Sequence, residues 1–323
     1  MDIILFSFFT FIIVFSRYTS FNEEYMSLTN TLPVRGIMAV AIVLHHLAEN
    51  NLGGKFFPLL IHLGYLIVAV FFFFSGYGLT FSYLKKGKSY LKGFWKKRIL
   101  YLIVILFVFA FVYSIYYIVI DKFVFSPFLV DNCWYIYIQI VLYILFYISF
   151  ILFGEKNIGL SLFLLFVLQI LLTVILILLK FDSIWIISNF GFIAGCFLAY
   201  KKDCIDKVIK NYFFLLLFVS IILFGGFSLL PTVVNAYYIS RFGSTVVFCV
   251  IVCLVMTKIR FKGKALNYLG SISLEIYLIH GLVMRIFAHY IYNNILFSVL
   301  TIFISIAFAY ALNFVDKSIK KLI

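Results

Sequence analysis

Apolar residues run along this chain in long, nearly unbroken stretches, and charged residues collect between them. The stretches lie near 3–16, 34–50, 58–84, 99–120, 134–153, 158–179, 183–200, 212–230, 241–257, 267–287 and 294–314. A helix needs about 20 residues to cross the roughly 30 Å of bilayer hydrocarbon, and most of these runs approach that length. They lack the ten-residue apolar–polar alternation of barrel strands, so the spans are expected to be helices. The expected fold is all-α, a polytopic transmembrane helical bundle of about ten core spans plus one extra N-terminal helix. The first run is marginal for a span. It has no basic segment before it and no small-residue cleavage site after it, and reads as a retained helix rather than a signal peptide. Residues 1–27 are read as this extra helix with a cytoplasmic linker, and residues 28–323 as one membrane domain.

Composition supports the pattern. Of 323 residues, 65% are hydrophobic and only 12% charged, more apolar surface than a soluble domain of this size can hide. Five scattered cysteines show no metal-type flanking, and Cys249 and Cys253, four apart on one apolar run, read as packing.

Charge adds orientation. Arg17, the 85–98 basics, Lys156, the 201–210 and 258–264 basics and the C-terminal lysines put 20 cations on one side. Lys55, Lys122, Lys180 and Arg241 put four on the other. This split places the 85–98 loop and the C-terminus in the cytoplasm, and the N-terminus outside if residues 3–16 span. The net charge of +14 is then mostly topology, and no basic soluble module offers itself to nucleic acid.

Few ionisable groups fall inside spans, and such groups are functional candidates by default. On the helix around 34–50, Arg35 and His46 are eleven residues apart, three turns plus about 20°, so they share a face roughly 16 Å apart along the axis. His45 falls about 80° off that face. Glu49 stands three residues beyond His46, a spacing at which side chains meet. An imidazole with a neighbouring carboxylate is a general-base arrangement, because the carboxylate fixes the tautomer. The bland alternative has Arg35 snorkelling to the interface and the histidines ending a helix near headgroups.

A second concentration lies in "GSISLEIYLIHGLVMR" (270–285). Ser273, Tyr277 and His280 share a face by their spacing, while Glu275 points about 140° away from His280 and must find its partner elsewhere. Glu275, Tyr277 and His280 either line a substrate site or clamp the bundle. In "FFFFSGYGLT" (71–80), Ser75, Gly76 and Gly78 let a backbone or a ligand approach. His62, with no partner nearby in sequence, reads as a satisfied polar residue near the outer interface. No HExxH, CxxC, Walker or dinucleotide glycine motif is present, so no metal is expected.

Taken in order, these segments resemble acyltransferase family 3, integral-membrane O-acyltransferases of about ten spans. The arginine–ten residues–histidine mark is Arg35 and His46. "FFFFSGYGLT" is similar to the segment on the next helix, "FWKKRILYL" to the basic lead-in of the third core helix. "NCWYIYIQIVLYILFY" (132–147) resembles the family's tryptophan-led helix, and "LGSISLEIYLIHGLV" its late helix. The likeness covers roughly residues 28–314 and marks 28–323 as a membrane acyltransferase domain.

The resemblance implies transfer of an acyl group, usually acetyl, from cytoplasmic acyl-CoA to a hydroxyl of a cell-envelope carbohydrate or lipid-linked glycan. No cofactor would be bound permanently. His46 would be the general base, with Glu49 orienting it, and Arg35 with the basic loop would meet the CoA phosphates. The family's Arg-x-x-Arg is here Arg98 followed by Tyr101, so Lys96 and Lys97 are expected to share the phosphates with Arg98. Ser75, Trp134, Tyr277, Glu275 and His280 complete the substrate-binding candidates. A homodimer is compatible with this class, and the bilayer is its setting. A transporter or flippase for a lipid-linked sugar is the alternative. It would want several cations along an enclosed path, whereas most here lie in loops.

Overall fold

The computed structural model describes residues 1–50, 52–119, 133–233 and 236–322. Lys122 of the sparse side and Asn132 of the tryptophan-led segment lie outside them. The chain is a helical bundle: α1 (Asp2–Val14), α2 (Leu28–Glu49), α3 (Gly64–Lys86), α4 (Tyr101–Val119), α5 (Trp134–Phe153), α6 (Ile158–Leu178), α7 (Ile184–Ile187), α8 (Phe190–Val233), α9 (Tyr237–Lys258), α10 (Lys264–Ser271), α11 (Ser273–Ala288) and α12 (Asn294–Leu322).

Among the described residues, eight helical stretches are long and apolar enough to cross a membrane. The pair α10–α11, bent by 74° about Ile272, makes a ninth. The stretch Ile184–Leu230 holds 47 residues. At about 1.5 Å per residue it would run roughly 70 Å if straight, more than twice the hydrocarbon thickness. Its helix leaves helical geometry at Lys201 and Tyr212, which bracket the basic 201–210 segment. Its two apolar halves on either side of that segment correspond to the 183–200 and 212–230 runs of the sequence.

Lipid-facing helices can be apolar all round, but polar groups must turn inward. The distribution follows that rule. In α2 and α3, 67% and 72% of the most apolar window is buried, against 44% or less in the six other unbroken spans. These two helices carry Arg35, His45, His46, Glu49 and Ser75, so the charged positions sit at the centre of the bundle.

Close backbone approach fixes that centre. A side chain at Gly270 would meet the Leu32 carbonyl oxygen of α2 at 1.9 Å, and one at Gly76 would meet the Phe192 carbonyl oxygen of α8 at 2.0 Å. Gly76 thus serves helix packing, whereas Gly78 faces open space. The break at Ile272 lets α10 lie against the start of α2 while α11 turns along its other half. A single helix over 267–287, as the hydropathy suggests, could not follow both parts.

Two three-residue strands depart from a purely helical expectation. Ser16–Tyr18 (β1) pairs antiparallel with Ile259–Phe261 (β2), with Arg17 opposite Arg260. At the other end of α1, the Asp2 carboxylate accepts the backbone N–H groups of Lys55, Phe56 and Phe57 at 2.8, 3.0 and 2.9 Å. The 55–57 segment follows the C-terminal end of α2, and β2 lies beside its N-terminal end. So α1 runs antiparallel to α2, although its 13 residues are too few for a full span.

The basic side is gathered as the charge pattern demands. Lys202 and Lys210 reach the Glu23 carbonyl and carboxylate, Lys258 reaches the Ser20 carbonyl, and Lys88 pairs with Glu155. All of this lies at the Arg35 end of α2, and Lys55 and Arg241 lie at the His46 end.

Candidate active site

The site is built on the last two turns of α2. Glu49 stands three residues from His46 and four from His45, the two spacings at which helical side chains meet. One carboxylate therefore serves both rings: Oε2 lies 2.6 Å from His46 Nδ1 and Oε1 3.3 Å from His45 Nε2. An ionised carboxylate accepts, so His46 Nδ1 carries the proton and its Nε2 is left with the lone pair of a base. His45 is buried, with Nδ1 3.0 Å from the Leu60 carbonyl. Donating there leaves its Nε2 able to donate to Glu49 only when the ring is protonated.

The helix-phase argument separated the two histidines, and the structure gives them different surroundings. His45 is wedged between α2 and the Leu60 turn. His46 turns toward α11, where the His280 ring stacks on it with centroids 5.1 Å apart. His280 is fully buried, its Nδ1 3.1 Å from the Ile276 carbonyl and its Nε2 without a partner among the described residues.

Three cavities follow one another along this core. The first, about 550 Å³, is lined by Lys86, Lys92, Lys97, Arg98, Tyr101 and Lys320. Lys97 and Arg98 reach it from a π-helical turn, Trp95–Leu100, a local widening that often marks functional sites. The second, about 210 Å³, is lined by Arg35, Ser75, Tyr101, Gln139, Tyr143, Ser273 and Tyr277 among others. The third, also about 210 Å³, holds His45, His46, Glu49, His62, Tyr65, Trp134, Tyr237, Arg241 and Tyr277. Tyr101 is a wall common to the first and second cavities, and Tyr277 a wall common to the second and third.

Each cavity has distinct chemistry. The basic cavity can take phosphates. In the middle one, Arg35 has no hydrogen bond or ion pair among the described residues, and its guanidinium lies 5.6 Å from the Phe74 ring centre. Beside it Ser75 Oγ is 2.9 Å from the Tyr143 hydroxyl and accepts from Gln139 Nε2 at 2.8 Å. In the third, the Trp134 indole N–H is buried without an acceptor among the described residues. His45, His46 and Glu49 present ligand atoms within 4.8 Å of one another and could hold a cation, although one oxygen of the carboxylate already accepts from His46 Nδ1.

The structure thus brings Arg35, His46, Glu49, Arg98, Lys97, Ser75, Tyr277 and Trp134 onto a row of three cavities that share walls, with His280 backing His46. It leaves two candidates aside. Glu275 is buried and accepts from Asn313 Nδ2 of α12 at 2.7 Å, a helix–helix clamp. Lys96 is exposed and lines none of the three cavities.

Sequence reasoning missed others. Arg241 was assigned to a sparse outer loop, but α9 begins a turn earlier, at Tyr237, and this turn directs Arg241 into the third cavity. Its polar "YYISR" start conceals a helix. His62, expected to be a satisfied polar residue near the outer interface, lines the same cavity. Lys320, 222 residues beyond Arg98 in sequence, joins it in the basic cavity.

Comparison with known proteins agrees. The family model described as an acyltransferase domain matches residues 34–314. Neither the curated proteins nor the solved structures contain a match. With a match over most of its length and a membrane-spanning bundle around the row of cavities, the chain belongs to acyltransferase family 3 and is a membrane acyltransferase.

Proposed function

We propose that this chain transfers an acyl group, acetyl in the first instance, from acyl-CoA at the cytoplasmic face of the plasma or inner membrane to a hydroxyl of a cell-envelope carbohydrate or lipid-linked glycan at the outer side. The observation that carries the reading is the row of three cavities, basic at one end and bearing the His46–Glu49 pair at the other. CoA has phosphates at one end and its thioester at the tip of a long arm. Lys97, Arg98, Lys86, Lys92 and Lys320 suit the phosphates, the Arg35 cavity suits the polar arm, and the thioester would arrive past Tyr277.

The chemistry follows from the hydrogen bonds. Glu49 holds the proton on His46 Nδ1, so Nε2 is free to take the proton of the acceptor hydroxyl as its oxygen attacks the thioester carbonyl. The carbonyl oxygen becomes an oxyanion, which the unpartnered Trp134 indole N–H can meet. Collapse breaks the carbon–sulfur bond, and the CoA thiolate recovers the proton from His46. The products are the glycan ester and free CoA.

Membrane vesicles of defined sidedness test this. Labelled acetyl-CoA supplied at the cytoplasmic face should label glycan and release CoA in equal amounts, and the same donor supplied outside should label none. Sugar movement across the vesicle without any transfer of label would instead indicate the transporter alternative. Arg35→Gln should lower kcat/KM for acyl-CoA about ten- to a hundred-fold, the value of a charge-assisted hydrogen bond of about 1.5–3 kcal/mol. An unchanged kcat/KM would remove Arg35 from the donor path.

A further inference from the structure

The third cavity contains a cation that the transfer chemistry does not use. Arg241 projects from the first turns of α9 into the cavity that holds His46 and Glu49. Its guanidinium lies over the Tyr65 and Tyr237 rings, at 4.9 and 5.3 Å from their centres. One Nη1 donates to the Tyr65 hydroxyl at 3.2 Å, and that hydroxyl is 2.9 Å from Ser244 Oγ. Among the described residues its buried Nε–H has no acceptor and Arg241 makes no ion pair. The one carboxylate lining the cavity among the described residues, Glu49, accepts from His46 Nδ1.

A partly enclosed guanidinium without a counter-charge is costly, and a bound anion would relieve the cost. Two tyrosine rings fix the plane of the fork, leaving an edge for the bidentate pairing that carboxylate and phosphate oxygens make. The donor's own phosphates do not fit here. They belong with the basic cavity, on the far side of the Arg35 cavity, and Arg35 itself lies roughly 16 Å from His46 along α2. The oxyanion of the reaction forms at the donor wall, where Trp134 packs edge-on against Tyr135 and Tyr135 lies against Tyr277. The charge that remains for Arg241 is one on the acceptor. The aromatic walls of Tyr65, Tyr237 and Trp134 suit the flat face of a sugar ring, and about 210 Å³ is below the usual range for a drug-sized ligand. That leaves room for a single sugar unit.

We propose that Arg241 selects an acidic acceptor: the sugar whose hydroxyl meets His46 bears a carboxylate or phosphate that pairs with the Arg241 guanidinium. This rests on the acyl-transfer reading above and names its acceptor class. Carboxylate and phosphate share the anionic oxygen pair, so the probes must separate them.

The test is a binding measurement on the purified full chain in nanodiscs, which needs no acyl transfer. Methyl β-D-glucuronide, methyl β-D-glucoside 6-phosphate and neutral methyl β-D-glucoside would be titrated and followed by ligand-observed NMR. At least one anionic glycoside should bind ten-fold or more tightly than the neutral one, and which one does identifies the source of the charge. Arg241→Gln should bring anionic binding down to the neutral level and leave neutral binding unchanged. Arg241→Lys should retain part of the preference, and His46→Ala should retain all of it. Thermal unfolding would confirm that each variant is folded. No anionic preference in the wild type, no binding of any probe, or a preference that survives Arg241→Gln overturns the proposal. Loss of neutral binding as well in Arg241→Gln would mean a packing role, and would also overturn it. Absence of acyl transfer in the vesicles, with the anionic preference intact, would instead count against the acyltransferase chemistry proposed for this site.

Discussion

His46→Ala is expected to lower acyl transfer by about 10²- to 10⁴-fold, the usual contribution of a positioned general base. The fall should appear in kcat at saturating acyl-CoA, since His46 lines the third cavity while the phosphate-binding groups line the first. His45→Ala should lose less. Its ring is buried, 3.0 Å from the Leu60 carbonyl, and 3.3 Å from Glu49, so its removal loosens the carboxylate but leaves the base in place. Glu49→Gln should fall between them: the amide oxygen can still accept from His46 Nδ1, but the charge that stabilises the imidazolium is gone. Rates of CoA release from purified variants in liposomes separate these outcomes. If His45→Ala and His46→Ala lose activity equally, the assignment of one base by helix phase is wrong.

Trp134→Phe is the second large effect, an expected loss of about 10²- to 10³-fold in kcat with little change in KM. The indole N–H is a buried donor without an acceptor among the described residues, in the cavity that holds His46. A donor of that kind becomes useful when charge develops on a nearby oxygen, and phenylalanine keeps the ring but removes the N–H. A drop confined to KM would make Trp134 a binding wall. Unchanged kinetics would leave the oxyanion to another group.

The two predictions draw on different kinds of information. His46 was visible in the sequence because helix phase is arithmetic: eleven residues from Arg35 return to the same face, and Glu49 follows three later. Trp134 stood out only through resemblance, since nothing near it in sequence says that its N–H lacks an acceptor. Glu275 shows the same limit from the other side. A buried acid in a span announces a partner but not its position, and Asn313 is 38 residues away on α12. Arg241 was misread because a tyrosine- and serine-rich helix start carries no hydropathy signal.

The sequence by itself determined the class of protein, the passes and their charge asymmetry, and the shared face of Arg35 and His46. Each of these depends on composition or on a local period, and local geometry transmits both. Only the tertiary structure decided which helices are central, that Lys320 and Arg98 share a cavity, that His280 stacks on His46, and that Arg241 faces the same space as Glu49. Those relations join residues tens to hundreds of positions apart. They are set by where glycines such as Gly76 and Gly270 let backbones meet and by the 74° break between α10 and α11. Packing of that kind leaves no periodic trace in a single chain.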